Sequence, residues 1–303
     1  MKHIFVLNSM AGGKFTNEYL EEKLKDLGIN YQIIPTEYSG HAKVIVKETI
    51  EKYSRGDEIL RFYACGGDGT INEVASSLVG AENVEFAVIP CGSGNDFVKY
   101  FGGMEKFADI SKIVNGEVKP IDIMKIGDNY SINICNFGFD AVVGKTANEI
   151  KLKGGKNPYG AGVRKAIFTG MKHKVKVEVD GKLINGKKNM LLCTLGNASY
   201  VGGQYKCAPR AVIDDGLIEV CLVDTIGLFT FLKILKPYTE GKHLELGKKF
   251  IHYAQGKQVK MYADKDFDIC LDGEIVTGNN FVVDILNKAI NFVVPKEWNV
   301  IHT

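Results

Sequence analysis

The stretch ACGGDGTINEV, residues 64–74, decides how the first part of the chain folds. It follows the apolar run EILRFYACG, residues 58–66, which predicts a buried strand. Glycines then surround Asp68, and the pattern Thr70-x-x-Glu73 predicts a capping box that starts a helix at Thr70. A glycine loop between a parallel strand and a helix exposes backbone N–H groups where anions bind. The stretch therefore predicts a phosphate-binding loop.

Asp68 restricts which anion fits this loop. A carboxylate repels a phosphate unless a cation lies between them, so the loop favours a nucleotide bound with Mg²⁺ near Asp68. The alternative is an ordinary turn in which Asp68 only supports the loop. A second loop of the same design, FAVIPCGSGNDF at residues 86–97, strengthens the phosphate-site interpretation, and Ser93 and Asp96 form its predicted helix cap.

The order of apolar runs predicts two domains of different class. Strands and helices alternate through residues 1–125, which predicts an α/β domain with a parallel, doubly wound sheet. Beyond it, apolar–polar alternation broken by Asp-Gly pairs, as in KVKVEVDGKLI and FDICLDGEIV, predicts an antiparallel β-sandwich over residues 126–294. We expect two helices in this second domain, near residues 158–172 and 228–240. The tail, residues 295–303, is expected to pack back on the first domain.

The composition is typical of a cytosolic globular protein. The chain has 303 residues, is 45% hydrophobic and carries a formal net charge of +2. Its seven scattered cysteines lie mostly in apolar runs without metal-ligand spacing, so we expect reduced core residues and no zinc site. No signal peptide or membrane-spanning run is predicted.

Two common nucleotide-binding motifs are excluded. Asn8 stands where a P-loop requires its first glycine, and Asn72 stands where the dinucleotide fingerprint requires its third glycine.

The positive charge is concentrated in residues 151–177, which contain eight Lys or Arg residues and no acidic residue. One interpretation is a solvated basic surface, and the other is a patch that meets an anionic membrane or a phosphate-bearing partner. Four apolar residues recur there at helical spacing, as in a core-facing or a membrane-facing stripe. They are Tyr159, Val163, Ile167 and Met171.

Four motifs together resemble the soluble bacterial diacylglycerol kinases, whose catalytic domain also occurs in sphingosine and ceramide kinases. They are GGDGTINE, IPCGSGNDF, DDGLIEV and LDGE, in the family's order. The resemblance implies a nucleotide-binding α/β domain and a β-sandwich domain, with the active site in the cleft between them. It also implies transfer of the γ-phosphoryl group of ATP to a lipid hydroxyl, with Mg²⁺ as cofactor.

The resemblance also implies roles for individual residues. Glu274 matches the general base, and an acidic group that supports the magnesium site matches Asp68, Asp96 and Asp122. A separate structural Mg²⁺ would be bound by Asp215 and the backbone carbonyls of Val212 and Leu217. The positions that match the nucleotide site are Asn8, Ser9, Met10, Ala11, Gly12, Thr36, Gly66, Gly67, Asp68, Gly69, Thr70, Ile71, Asn72, Glu73, Gly92 and Ser93.

Two positions depart from the family pattern. Ser9 stands where proline is usual, which loosens the first loop, and Ser93 stands where threonine is common but keeps a hydroxyl.

We expect diacylglycerol as the lipid alcohol and phosphatidic acid as the product. A kinase that acts on NAD and a non-catalytic ATP-binding module are the alternatives. We expect a cytoplasmic location with contact at the inner membrane face and no nucleic-acid partner, and a homodimer is left open.

Overall fold

The computed structural model of the chain describes residues 1–9, 15–53, 56–186, 189–246 and 249–296, with the side chains of all except residues 151 and 152. The chain forms two compact units. Unit 1 comprises Met1–Ile123 and Asn287–Thr303, and unit 2 comprises Met124–Leu286. Residues 287–294, which the sequence analysis assigned to the second domain, therefore belong to the first unit.

Unit 1 has the predicted α/β architecture, with a parallel sheet in the order β14-β4-β3-β1-β2. The last residues of β14 join this sheet beside β4, where Phe292 pairs with Phe86. The elements of this part of the chain are β1 Lys2–Asn8, α1 Asn17–Leu24, β2 Tyr31–Thr36, α2 His41–Tyr53, β3 Leu60–Gly66, α3 Asp68–Leu78, β4 Val84–Pro90, α4 Asp96–Lys99, α5 Ile110–Val114 and β5 Glu117–Ile126.

The central strand β3 shows why this sheet forms. All seven of its residues are buried, as expected for a parallel strand covered on both faces. Helices α2 and α3 each bury one side. This buried side packs on the sheet beside the strand that precedes the helix in the chain. The carboxyl ends of β1, β2, β3 and β4 therefore lie along one edge of the sheet, because neighbouring strands are parallel.

Unit 2 is the predicted antiparallel β-sandwich, in which β12-β11-β10-β7-β13-β14 are neighbours and β8 also pairs with β13. Its elements are β6 Asn129–Ser131, β7 Ile134–Gly138, α6 Phe139–Leu152, α7 Pro158–Thr169, β8 Lys176–Val179, β9 Lys182–Leu183, β10 Met190–Gly196, β11 Ile218–Asp224, α8 Leu228–Thr239, β12 Ile251–Gly256, β13 Gln258–Leu271 and β14 Glu274–Val294.

Strand β13 takes part in two layers of the sandwich. Its first half pairs with β8 and its last residues pair with β7, and the register against β14 shifts between Tyr262 and Phe267. Such an irregularity bends a strand, which lets one strand leave one layer and enter another. The core between the layers contains Phe137, Leu195 and Val220.

Helices α6, α7 and α8 belong to a second core on the outer face of the sheet. Ala166 of α7 and Phe231 and Ile234 of α8 pack in one cluster with Leu191 and Val223 of the strands. Helix α6 was not predicted, because Val142, Val143 and Gly144 break the usual helical composition. Gly144 has a packing role, since a Cβ there would lie 3.2 Å from the sulfur of Cys270.

Three expectations about the whole chain meet clear outcomes. All seven cysteines are free, and all but the half-buried Cys91 are buried, as predicted. The stripe in the basic segment faces the protein interior, because Val163, Ile167 and Met171 pack against the outer core. Tyr159 alone stays half exposed, at 50%. Among the described residues, no helix is long and apolar enough to cross a membrane.

Candidate active site

The two glycine loops of unit 1 touch backbone to backbone. Strands β3 and β4 end side by side, with Gly66 paired to Pro90. The N–H of Cys91 donates to the carbonyl of Gly66 at 3.0 Å. A Cβ on Gly92 would lie only 2.4 Å from the Cα of Gly67, so a larger residue would force the loops apart. Two glycines therefore make one continuous backbone surface at the carboxyl edge of the sheet.

The predicted capping box at Thr70 and Glu73 is wrong. Helix α3 begins at Asp68, and its N-cap Gly67 makes no side-chain cap hydrogen bond. Both predicted capping side chains are occupied elsewhere: the Thr70 hydroxyl accepts from Asn8 Nδ2 at 2.9 Å, and Glu73 accepts from the Gly40 N–H at 3.1 Å. A helix start without a side-chain cap leaves its first N–H groups available to an anion, as a phosphate site requires.

The predicted cap of the second loop, Ser93 with Asp96, is also wrong. The N-cap of α4 is Asn95 in the left-handed conformation, φ 51° and ψ 45°, again without a side-chain cap. The Asn95 side chain instead closes the loop, because its Oδ1 accepts from the Gly92 N–H at 3.0 Å and its Nδ2 donates to the Gly92 carbonyl at 2.6 Å. Ser93 remains exposed, with its hydroxyl at the surface of the loop.

Asp68 and Asp96 form an acidic pair between the loops. Asp68 Oδ1 accepts from the Asp96 N–H at 2.6 Å and from the Phe97 N–H at 3.3 Å. Burial raises the pKa of Asp68, and the negative charge of Asp96 adds to the rise. Lys99 Nζ lies 2.7 Å from Asp96 Oδ1 and neutralises part of this charge.

The second oxygens of this pair converge on Gly94. A Cβ on Gly94 would lie 2.7 Å from Asp68 Oδ2 and 3.6 Å from Asp96 Oδ2. Carboxylate oxygens suit Mg²⁺, which binds one or two carboxylates and fills its remaining positions with water and phosphate. The pair therefore fits the cation that the resemblance implies.

Asp122 is held differently from the other two predicted acids. It is fully buried on β5, and its Oδ1 accepts from the backbone N–H of Lys288 on β14 at 2.6 Å. In the part of the chain that the structure describes, no three His, Cys, Asp or Glu side chains form a metal-binding group. The structure thus joins Asp68 to Asp96 but does not make a three-acid cluster with Asp122.

The other predicted nucleotide residues follow the same edge of the sheet. Asn8 and Thr36 are paired at the ends of β1 and β2. Ile71 and Asn72 are buried. Ser9 is exposed, and Met10, Ala11 and Gly12 lie outside the described residues.

Glu274 is the first residue of β14 in unit 2, and its side chain is exposed. A tight turn precedes it, with φ of 47° at Asp272 and 97° at Gly273. The carboxylate of Asp272 accepts four hydrogen bonds of 2.8–3.2 Å, from Ser131 Oγ and the N–H groups of residues 132, 133 and 134. Asn148 Nδ2 also donates to the Gly273 carbonyl at 2.7 Å.

These contacts make Asp272 the anchor of the turn that presents Glu274. A carboxylate that accepts several backbone N–H groups fixes the local backbone strongly. The sequence analysis treated the Asp-Gly pair at residue 272 only as a turn, because the partners lie about 140 residues away in sequence. No local signal in the sequence could have shown them.

The predicted structural metal site lies in the turn before β11. Asp215 is exposed, and its Oδ1 accepts from the Leu217 N–H at 2.9 Å. Nearby Glu219 is only 1% exposed. Burial raises the pKa of Glu219 to about 7, against the opposing effects of a hydrogen bond from the Arg210 backbone and of the Arg210 charge. Asp215 and Glu219 offer carboxylate oxygens, which are the ligands that Mg²⁺ prefers, so the residues at this turn fit the implied cation.

Paired glycine loops on an α/β sheet, followed by an antiparallel sandwich, are the architecture expected of a two-domain kinase, and comparison with known families agrees. Residues 2–126 match the diacylglycerol kinase catalytic domain. Residues 133–294 match the YegS C-terminal NAD kinase beta sandwich-like domain. The chain therefore belongs to the diacylglycerol kinase and YegS-like lipid kinase family.

Individual relatives agree with this assignment. A diacylglycerol kinase of Bacillus subtilis is 28% identical over 96% of both chains. A probable lipid kinase YegS-like of Shewanella frigidimarina is also 28% identical, over 97% of this chain and 94% of its own. A crystal structure of a diacylglycerol kinase from Bacillus anthracis, 19% identical, superimposes with a TM-score of 0.69 over 98% of both chains and supports the fold.

Proposed function

We propose that this protein is an ATP-dependent kinase that transfers the γ-phosphoryl group to the hydroxyl of a lipid alcohol, with diacylglycerol as the substrate and phosphatidic acid as the product. The observation that carries the proposal is the joined pair of glycine loops at Gly67 and Gly92 beside the carboxylates of Asp68 and Asp96. Phosphoryl transfer depends mainly on positioning and on charge neutralisation, and this arrangement supplies both.

The residues of unit 1 have defined tasks in this proposal. Backbone N–H groups at the start of α3 and of the second loop bind phosphate oxygens, and the Ser93 hydroxyl adds a donor. Asp68 and Asp96 would hold Mg²⁺, which would supply positive charge beside the phosphates. Lys99 keeps the acidic pair from repelling the nucleotide, because it neutralises Asp96 at 2.7 Å. Asn8 fixes the strand-end geometry through its bond to Thr70.

Glu274 is the proposed general base, which accepts the proton of the attacking hydroxyl. An exposed carboxylate at the first residue of a strand is accessible to a substrate, and the Asp272 turn limits its movement. Asp272 itself accepts three backbone N–H groups and the Ser131 hydroxyl, so it acts as a positioning residue. In unit 2, Asp215 would hold a structural cation together with the backbone carbonyls of Val212 and Leu217, as the resemblance implies.

The preference for diacylglycerol rests on the relatives. One is named a diacylglycerol kinase, whereas others are named only as lipid kinases, which supports a lipid alcohol in general and diacylglycerol in particular. The family model that matches the second domain also mentions NAD kinase in its name, so NAD is the rival acceptor.

We further propose that the basic segment 151–177 approaches the anionic inner face of the membrane.

A direct competition between acceptors tests the proposal. The protein is incubated with γ-labelled ATP and, separately, NAD and a panel of dispersed lipid alcohols that includes diacylglycerol. We expect label in diacylglycerol and none in NAD, and loss of transfer in Asp68→Asn, which preserves shape but removes the charge. Label in NAD alone would make the protein an NAD kinase. Bound ATP with no labelled acceptor would make it an ATP-binding module.

A further inference from the structure

Helix α8 is apolar on the side that faces solvent. A surface helix normally places polar residues there, opposite the side that packs on the core. Here the packed side holds Phe231, Ile234 and Tyr238, which are buried. The outward side still exposes four large apolar residues along one arc of the helix. They are Leu228 at 44%, Phe229 at 84%, Leu232 at 54% and Leu235 at 36%.

Helix α7 presents an exposed aromatic residue beside the same core. Ala166 of α7 shares the outer core with Phe231 of α8, so both helices cover the same face of the sheet in unit 2. On its outward side α7 exposes Phe168, at 86%. The two helices thus carry the most exposed large apolar side chains of the described residues. We call the outward sides of Pro158–Thr169 and Leu228–Thr239 the α7–α8 surface.

The charged residues within the two helices are all basic, since neither helix contains an Asp or Glu residue. Lys233 and Lys236 are exposed on α8, and Arg164 and Lys165 are exposed on α7. Two of the four are ion-paired at 3.9 Å with an acid just outside the helices, Lys165 with Glu149 and Lys236 with Glu240. Apolar side chains edged by lysine and arginine are typical of helices that lie in the interface of an anionic bilayer. A second copy of this chain fits less well, because a two-fold contact through α8 would place like charges against each other.

We propose that the α7–α8 surface docks on an anionic lipid bilayer, with Phe229 and Leu232 entering the apolar layer and the basic residues meeting the headgroups. The proposal rests on the proposed function to the extent that the substrate of a lipid kinase lies in a bilayer. It differs from the expectation for segment 151–177, because the insertion comes from α8. Docking requires no catalysis, so it can be measured without ATP.

Vesicle sedimentation tests the proposal. Wild-type protein is mixed with vesicles of phosphatidylcholine and phosphatidylglycerol in equal parts, and with phosphatidylcholine alone. We expect binding to the anionic vesicles that weakens with salt. The double variant Phe229→Ser, Leu232→Ser should bind at least about tenfold more weakly, since full burial of even one large apolar side chain contributes about that factor. The control Leu183→Ser removes an exposed leucine, at 39%, from β9, outside the α7–α8 surface, and should bind as wild type.

Vesicle binding is interpreted together with protein stability, oligomeric state and lipid phosphorylation. The double variant should keep its melting temperature and its rate on a short-chain, water-dispersed diacylglycerol. Equal vesicle binding by wild type and double variant would overturn the proposal. Absence of vesicle binding together with a wild-type dimer that the double variant dissociates would also overturn it, and would assign the surface to self-association. Loss of vesicle binding in the double variant, with no lipid phosphorylated by wild type, would uphold docking while the proposed function fails.

Discussion

Gly94 is the residue on which the acidic pair depends most directly. Its missing side chain leaves room for Asp68 Oδ2, which would otherwise lie 2.7 Å from a Cβ. Real Cβ contacts are longer than this, so an added methyl group must displace the carboxylate. The local sequence CGSGND contains a glycine at this position, but only the folded loop shows that Asp68 is the neighbour that requires it.

Gly94→Ala is therefore expected to lower turnover by about 10²-fold, the cost of displacing a catalytic group by about 1 Å. The cause is misplacement of Asp68, so higher Mg²⁺ concentration should recover part of the rate. Steady-state kinetics against Mg²⁺ concentration measures both effects. Gly56→Ala is the matched control, because its Cβ would meet only ordinary contacts of 3.8–3.9 Å, and it should leave turnover unchanged. Wild-type kinetics in Gly94→Ala would remove the carboxylate pair from the mechanism.

Glu274→Gln tests the proposed base. We expect turnover to fall by roughly 10²–10⁴-fold, the usual contribution of a positioned base. ATP affinity and melting temperature should stay close to wild type, since Glu274 is exposed and makes no part of the nucleotide loops. Isothermal titration with ATP and single-turnover kinetics measure the two quantities. A variant that turns over nearly as fast as wild type would exclude Glu274 as the base.

At the scale of residues, both glycine loops could be predicted from the sequence, but several side chains were assigned to the wrong partners. Thr70 and Glu73 have the spacing of a capping box, yet tertiary partners at Asn8 and Gly40 take both of them. Asp272 and Glu219 were missed for a related reason. The burial of Glu219 and the distant donors of Asp272 arise only when the chain has folded.

At the scale of elements, three Asp-Gly pairs that look alike in sequence form two kinds of turn. Asp180 and Asp272 both have φ of 47°, and each is followed by a glycine of positive φ, as in tight hairpins. At Asp215 only the following glycine, Gly216, has positive φ, at 73°. The backbone thus separates Asp215 from the hairpin turns, which sequence spacing alone could not do.

Removal of the carboxylate at Asp215 is expected to abolish a stabilising response to Mg²⁺. Saturating Mg²⁺ should raise the melting temperature of wild type by about 5 °C or more, because a cation that binds only the folded state stabilises it by mass action. Asp215→Ala should lower the melting temperature and show a much smaller response.

Asp180→Ala is the matched control for this turn. Its carboxylate accepts N–H groups of Lys257 and Gln258 at 2.9–3.2 Å, so the variant should lose stability but keep the full Mg²⁺ response. Differential scanning calorimetry with and without Mg²⁺ measures all three proteins. The same Mg²⁺ response in Asp215→Ala as in wild type would rule out the site.

Most elements of the first domain could be predicted, whereas those of the second could be predicted only in class. Strands such as β3 consist of uninterrupted apolar runs, and their helices end at clear stop signals. Helix α6 escaped prediction because β-branched residues and Gly144 obscure its helical character. The length of strand β14 could not be predicted, since nothing local marks its continuity from Glu274 to Val294.

On the scale of the whole molecule, the chain enters unit 1, leaves it near Ile123 and returns at Asn287. The sequence analysis expected only the last residues to return to the first domain. Such a return depends on pairing between distant segments, here Phe292 with Phe86, and local patterns carry no information about it. The class of each domain was nevertheless predictable, because parallel and antiparallel sheets leave different hydrophobic periodicities.

The central claim is that this protein transfers the γ-phosphoryl group of ATP to the hydroxyl of diacylglycerol. The most direct measurement supplies γ-labelled ATP, Mg²⁺ and dispersed diacylglycerol as the sole acceptor, and identifies the labelled product by chromatography and mass spectrometry. The account predicts labelled phosphatidic acid from wild type and a loss of at least about 10²-fold in Glu274→Gln. Labelled inorganic phosphate without phosphatidic acid, from protein that binds ATP, would contradict it.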